Sequence, residues 1–354
     1  MSMNELEYQR ELDALHFTQT QKQALADRVA EAAQHPAASR RPIRRIAVVA
    51  VAAVLALAIG VGASGMLKSA AEAFAGVFGS SQTETEIVNR IGKPIGASAD
   101  SDGITISADA IVGDKYNACI VYTVKKNGCS TWKLPKNVPL TNLNFSEAYC
   151  TLTDRGGCSG SAWFTDSNPA DNVVQYVESV TTDSPDGLKT GDVTARFHTL
   201  SYFDPQTEKQ VPLSDGTWKF RFNVSYKDSS VVLHSEKGSF AQNGMDFIVK
   251  SVSISPVALR VSYSVDSEAK WSNQPSGKIS KEDEKTEERY LGSVKLLVHC
   301  ADGHTIDMTN AGGSVSPKGG KTDCTKGGVF EEILDLNDVT SVTVGGIPYP
   351  VNVK

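Results

Sequence analysis

From Ile46 to Leu67 the chain reads IAVVAVAAVLALAIGVGASGML, without one charged side chain. As a helix this run would rise about 33 Å, against a bilayer hydrocarbon core of about 30 Å. A soluble helix normally keeps a polar face, and this stretch has none. Arg40, Arg41, Arg44 and Arg45 abut its start, while Lys68 and Glu72 follow its end. The excess of arginine at one end places the N-terminus in the cytoplasm and residues 68–354 outside, as a single-pass protein of the cell membrane. The expected partition is a cytoplasmic helical segment over residues 1–42 and a transmembrane helix over 43–67, with the lipid bilayer as a partner. Two other readings stay open: a signal peptide cut near Ala63 or after Ala73–Ala75, and a twin-arginine export signal around Arg40-Arg41. The long stretch ahead of the basic cluster favours a retained anchor. Ala52, Ala56, Gly60 and Ser64 form a four-residue repeat of small side chains, which would permit close helix–helix packing.

Charge divides at the same place. Residues 1–45 carry a balance of +1 and the remainder −7. An acidic main body argues against nucleic acid as a partner, because phosphate neutralisation needs a basic face. All six cysteines, Cys119, Cys129, Cys150, Cys158, Cys300 and Cys324, follow the apolar run. An even count on one side points to an oxidising compartment and disulfides, with buried thiols as the alternative. Cys300–Cys324 is the expected pair; the other four allow three pairings.

In the cytoplasmic segment, Glu5–Leu15 and Gln19–Gln34 read as helices. Thr18-Gln19-Thr20-Gln21 has the form of a capping box, and Pro36 ends the second helix. Leu25, Val29 and Ala32 share a face. Two helices this short cannot bury enough apolar surface to stand alone. Leu12, Leu15, Phe17, Leu25 and Val29 are therefore the candidate partner-binding residues. With only His16 and His35, and no cysteine, the segment has no zinc-ligand set.

Residues 68–100 read as a stalk, in which Ala70–Phe78 extends the helical pattern and Ser80–Glu86 is a polar spacer. From the Asp102-Gly103 turn onward the pattern switches to period two: Ile104, Ile106 and Ala108 alternate with Thr105, Ser107 and Asp109. Strand-like runs follow at Ala118–Val124, Val173–Val180, Val193–Phe203, Trp218–Tyr226, Met245–Ile254, Val257–Val265, Val294–His299, Val329–Leu334, Val339–Val344 and Tyr349–Val353. Many short strands punctuated by Gly, Pro, Asn and Asp predict a mainly β fold of two extracellular β-sandwich domains, 101–238 and 239–354. Their boundary falls near His234–Gly244. Lys278–Arg289 and Gly312–Gly328 read as solvated loops.

Candidate chemistry fails at each step. Ser98 through Asp109 has the length of a calcium loop, but Ser and Asp replace its first and last ligands; a turn and strand account for the same residues. His299, Cys300, Asp302 and His304 resemble a metal cluster. However, a hairpin loop of Ala301-Asp302-Gly303 would pair Val298 with Ile306 and put the two histidines on opposite faces. Gly157-Cys158-Ser159-Gly160-Ser161 lacks the second glycine and the strand–helix setting of a nucleophile elbow. The expectation is no enzyme, no cofactor and no metal.

Several stretches carry a resemblance: Leu12–Phe17 with Lys22, the basic cluster and span, Ser101–Ala110 with Asp114 and Ile120–Val124, Gly216–Phe222, Phe247–Pro256, and Ser341–Pro350. Together they resemble single-pass membrane proteins of Gram-positive bacteria whose immunoglobulin-like ectodomain is known only as a domain of unknown function. That resemblance implies an anti-sigma-factor-like role for the cytoplasmic segment, with a sigma factor or other regulatory protein as partner and no catalytic residues. The expected function is a membrane-anchored signalling protein whose ectodomain binds an unknown extracellular ligand. The alternative is a cell-envelope adhesion or structural protein with a merely topogenic tail.

Overall fold

The computed structural model describes residues 68–352, apart from 129–130, 136–137, 153–157, 169, 185, 226–227 and 273–278. The expected cytoplasmic segment, with Leu12, Leu15, Phe17, Leu25 and Val29, and the apolar run Ile46–Leu67 lie outside the described residues, as does Cys129. Among the described residues no helix is long and apolar enough to cross a membrane.

The fold is mainly β. Two helices open it, α1 (Ala70–Phe78) and α2 (Gln82–Ile91). The strands of the first half are β1 (Lys93–Ser101), β2 (Ile104–Gly113), β3 (Asn117–Lys126), β4 (Leu143–Cys150), β5 (Cys158–Thr165), β6 (Val173–Thr182), β7 (Gly191–Asp204) and β8 (Lys209–Val224). The second half holds β9 (Val231–Leu233), β10 (Ser239–Gln242), β11 (Met245–Ile254), β12 (Ala258–Val265), helix α3 (Lys281–Glu287), β13 (Leu296–Cys300), β14 (Thr305–Asp307), β15 (Gly313–Lys318), β16 (Lys321–Val329), β17 (Val339–Val344) and β18 (Ile347–Pro350).

In the first half a sheet ordered β1-β2-β3-β6-β5 and a sheet ordered β4-β7-β8 enclose one apolar core. Period two is plainest in β8, where Trp218, Phe220, Phe222 and Val224 point inward between exposed Lys219, Arg221 and Asn223. Trp218 is fully buried, and its indole N–H donates to the Ile104 carbonyl at 2.8 Å. Asp102 and Gly103 both take positive φ, 47° and 72°, as a two-residue hairpin turn matched to strand twist requires. In the second half β10-β11-β12-β16-β15, with β9 added beside β11, faces β14-β13-β17-β18 across a second core. The His299–Thr305 hairpin has the expected register, with Val298 opposite Ile306.

Several expectations are corrected. Residues 68–100 are not a stalk but two capped helices and an edge strand. Val231–Leu233 pairs with β11, so the second core begins ahead of the expected boundary at residue 239. The loop expected at Gly312–Gly328 is the hairpin β15–β16, and the loop expected at Lys278–Arg289 holds α3, which continues into a wider turn at Glu288–Gly292. Val329–Leu334 leaves the sheet after Val329; its apolar residues are buried in the connection to β17.

The expected Cys300–Cys324 disulfide is also corrected. Both are free thiols, as are Cys119, Cys150 and Cys158. Cys300 ends β13 and is part-exposed, whereas Cys324 is buried within β16. An even count says nothing about which cysteines a fold brings within bonding distance. Cys300→Ser is therefore expected to leave the melting temperature nearly unchanged, whereas loss of a structural disulfide would cost about 2–5 kcal/mol. Thermal unfolding monitored by circular dichroism decides it.

Candidate functional site

A clasp of buried contacts joins the two β halves beside the helices at their head. Two capping boxes start those helices. Ser69 Oγ accepts from the Glu72 N–H at 3.2 Å while Glu72 takes the Ser69 N–H at 2.7 Å. Ser81 and Glu84 repeat the exchange at 3.2 and 2.8 Å. Reciprocal capping of this kind satisfies free amides that short helices otherwise leave to water. Gly79, at φ 94°, makes the turn between the helices. At Gly92 the chain passes so close that a Cβ would stand 2.7 Å from that of Ala70.

The helices bury Ala73, Phe74, Phe78, Ile87, Val88 and Ile91 against the outer face of the first sheet, at Val112, Cys119, Val121 and Val177. This explains why β3 reads as a nearly continuous apolar run: both of its faces are covered. The same cluster takes in Val257, Ala258 and Ile333 from the second half. Phe74 is fully buried and stacks on Phe78 at 5.3 Å. Polar ties hold the helices in place: Gln175 Nε2 donates to the Ala73 carbonyl at 2.9 Å, and the Ala71 N–H donates to Asn89 Oδ1 at 3.1 Å. Lys68 stands 3.8 Å from Asp109. Burial pushes the Asp109 carboxyl up, and the Thr123 hydroxyl and Lys68 act against that.

Beside this apolar patch lies a buried polar node. Asp114, 4% exposed, accepts at Oδ1 from the N–H of Tyr116, the N–H of Asn117 and Asn117 Nδ2, each at 2.9 Å. Its Oδ2 accepts from Ser255 Oγ at 2.6 Å, across the junction between halves. Ser255 is itself fully buried and accepts from the Ala258 N–H at 3.1 Å. Burial pushes the Asp114 carboxyl up, and these four hydrogen bonds offset it. Two more ties cross the junction: Thr325 Oγ1 donates to Asp183 at 2.5 Å, and the Arg260 guanidinium sits 4.0 Å from the centre of the Tyr116 ring. These contacts tie the two β bodies to each other, while the polar ties of the leading helices run to the first half and between the helices themselves.

Other titratable groups are structural by their environment. Glu178, half-buried on β6, accepts from the Tyr122 hydroxyl at 3.1 Å. Burial raises the Glu178 carboxyl and pushes the nearby Cys150 thiol up to about 12, which suppresses the thiolate needed for nucleophilic chemistry. Because its folded-state pKa is raised, the contribution of Glu178 to stability is full below the unfolded-state value and is lost as pH rises. Glu178→Gln keeps an acceptor for Tyr122 and removes the titration. It is expected to raise the melting temperature at pH 7.5 by about 2–4 °C, roughly 1 kcal/mol, and by less at pH 4.5; parallel melts at the two pH values check this.

The buried Lys326 donates to the carbonyls of Leu291 and Val294 at 2.5 and 2.9 Å, and burial lowers it to about 8. Those contacts close the end of the wide turn after α3.

The sequence-derived candidates are dispersed. His299 lies between Thr343 and Thr305, at 2.9 and 3.3 Å, and His304 is on the opposite face of the hairpin. Asp102 is engaged by Ser214 Oγ at 2.8 Å and by the Asp215 N–H at 3.2 Å. Among the described residues no cluster of His, Cys, Asp and Glu could hold a metal ion. An open cleft of about 520 Å³ at the end of the first half is lined by Thr105, Lys125, Asn127, Thr131, Asp171 and Asn172. Its polar groups are largely committed: Asn172 Nδ2 donates to the carbonyls of Lys126 and Gly128, and Asp171 accepts from the Val173 N–H. Sequence reasoning did not find the clasp. Asp114 and Ser255 are separated by 141 positions, and no local signal pairs them.

No protein-family model matches the chain, and no curated protein does. Among solved structures it is similar to the conserved domain protein from Bacillus anthracis, at 16% identity and a TM-score of 0.45, over 75% of this chain and 78% of that one.

Proposed function

We propose that this chain is a membrane-anchored, non-enzymatic signalling protein. In this reading Ile46–Leu67 spans the bilayer, two immunoglobulin-like sandwiches lie outside the cell, and the segment Glu5–Gln34 holds a cytoplasmic partner of the sigma-factor or regulatory type. One observation carries it. Lys68 follows the proposed span directly, and α1 begins at Ala70, already seated in an apolar core to which both β halves contribute. An adhesin needs only a tether, for which a polar, flexible spacer suffices. A receptor needs the span mechanically joined to the body that meets the ligand, and here no free spacer intervenes among the described residues. A ligand that alters the angle between the two halves would act on the helices in their seam, and through them on the span.

Affinity purification of the full chain from membranes, beside a chain lacking residues 1–38 with insertion restored, tests the proposal. A specific cytoplasmic protein recovered with the first and lost with the second is the expected result. Identical behaviour of the two would favour the adhesion alternative and remove the signalling role.

A further inference from the structure

A strand at the edge of a sheet presents a row of unpaired N–H and C=O groups, and folded proteins normally blunt such edges with charge, proline, bulges or shortness. Most edges here are blunted. β1 carries Lys93, Pro94 and a bulge before Ala97, and packs against β8. β4 carries Glu147 and β15 carries Pro317 and Lys318, while β18 holds Pro348 and Pro350. β9, β10 and β14 run only three, four and three residues.

The exception is β5, CSGSAWFT, eight residues with no charge and no proline. Among the described residues it hydrogen-bonds as a strand only to β6, with the short turn Leu140–Asn142 beside it, and its first six residues are all exposed. A strand covered on one face would alternate instead. Trp163 is 40% exposed.

We propose that β5 is a self-association edge, where a second copy of this chain adds its own β5 antiparallel and joins the two five-stranded sheets into one. The strand is complementary to itself. A twofold axis normal to the sheet pairs residues on the same face. Centred on Ser161, it sets Ser161 against Ser161, Ser159 against Trp163 and Gly160 against Ala162. Each indole then lies over the small Ser159 of the other copy, a cross-strand contact of aromatic on small side chain. No like charges meet along the roughly 27 Å of the strand. The self-match singles out a second copy over an unrelated strand. The inference concerns residues 68–354 and stands apart from the membrane reading.

The test uses the full chain in detergent. In a Cys158→Ser background, Ser161→Cys should form a covalent dimer under mild oxidation, because the two positions face each other on the axis. Ser161→Lys places two ammonium groups there and should weaken self-association in sedimentation velocity by about tenfold or more; Trp163→Ala should weaken it less. Circular dichroism establishes that each variant is folded, and a misfolded Ser161→Lys leaves the crosslink and Trp163→Ala to decide. A chain that stays monomeric throughout a dilution series, or a dimer indifferent to these substitutions and without the Ser161→Cys crosslink, overturns the proposal. The second outcome would place any association elsewhere, for example in the apolar run.

Discussion

Asp114→Ala is expected to destabilise the protein by about 3 kcal/mol or more, since a buried donor left without a partner costs about 1–3 kcal/mol. The alanine would strand the Tyr116 N–H, the Asn117 N–H, Asn117 Nδ2 and Ser255 Oγ together. Part of that cost is recovered because the buried carboxylate no longer has to be desolvated, which is why the estimate lies well below the sum of four lost bonds. Asp114→Asn is the informative companion. Its amide oxygen can keep the three donors on one side while its NH₂ faces Ser255, so a loss of about 1 kcal/mol or less is expected. A carboxyl held above its ordinary pKa stabilises fully at low pH and loses that contribution as pH rises; the asparagine variant should therefore compare better with the parent at pH 8 than at pH 4. Denaturant unfolding of the three chains at both pH values measures all of this. The alanine variant should also be cleaved sooner between Val224 and Val231, where the chain passes from one core to the other.

Phe74→Ala should be at least as damaging. Truncating a fully buried phenylalanine costs about 3–5 kcal/mol when the site cannot collapse. Phe74 is fully buried, stacks on Phe78 and lies in an apolar cluster with residues of the first sheet and of the second half. If residues 70–91 were a spacer, the same change would alter stability by less than about 0.5 kcal/mol. Equilibrium unfolding of the full chain separates these results by several-fold. Because Val257, Ala258 and Ile333 share the apolar cluster that holds Phe74, the damage should reach the second half as well.

Much of the β architecture was legible because its inward positions are apolar. Trp218, Phe220 and Phe222 alternate with charged residues, and Ile104 and Ile106 follow a positive-φ turn, so local pattern and global fold agree. The errors have physical causes. β16 reads as loop because its buried positions, Thr322, Cys324 and Lys326, include a hydroxyl and an ammonium whose partners are distant carbonyls. β5 is not legible in the sequence because its exposed small residues show no alternation. Residues 68–100 read as a stalk because Ser80–Glu86 is polar, although Ala70–Phe78 already has a helical pattern and Ser69-Ala70-Ala71-Glu72 and Ser81-Gln82-Thr83-Glu84 both have the serine-to-glutamate spacing of a capping box. The Asp114–Ser255 contact could not, since it exists only once two separate cores are docked. The disulfide expectation fails for a related reason: counting cysteines carries no information about which of them the fold brings within bonding distance.

The measurement closest to the central claim is amide hydrogen exchange on the full chain, read across residues 70–91. If the helices are seated in the seam between the two β halves, amides in the body of α1 and α2, such as those of Val77 and Val88, should exchange as slowly as those of β3 and open only with global unfolding. Exchange of those amides within seconds, while β3 stays protected, would mean that the helices hang free of the β body.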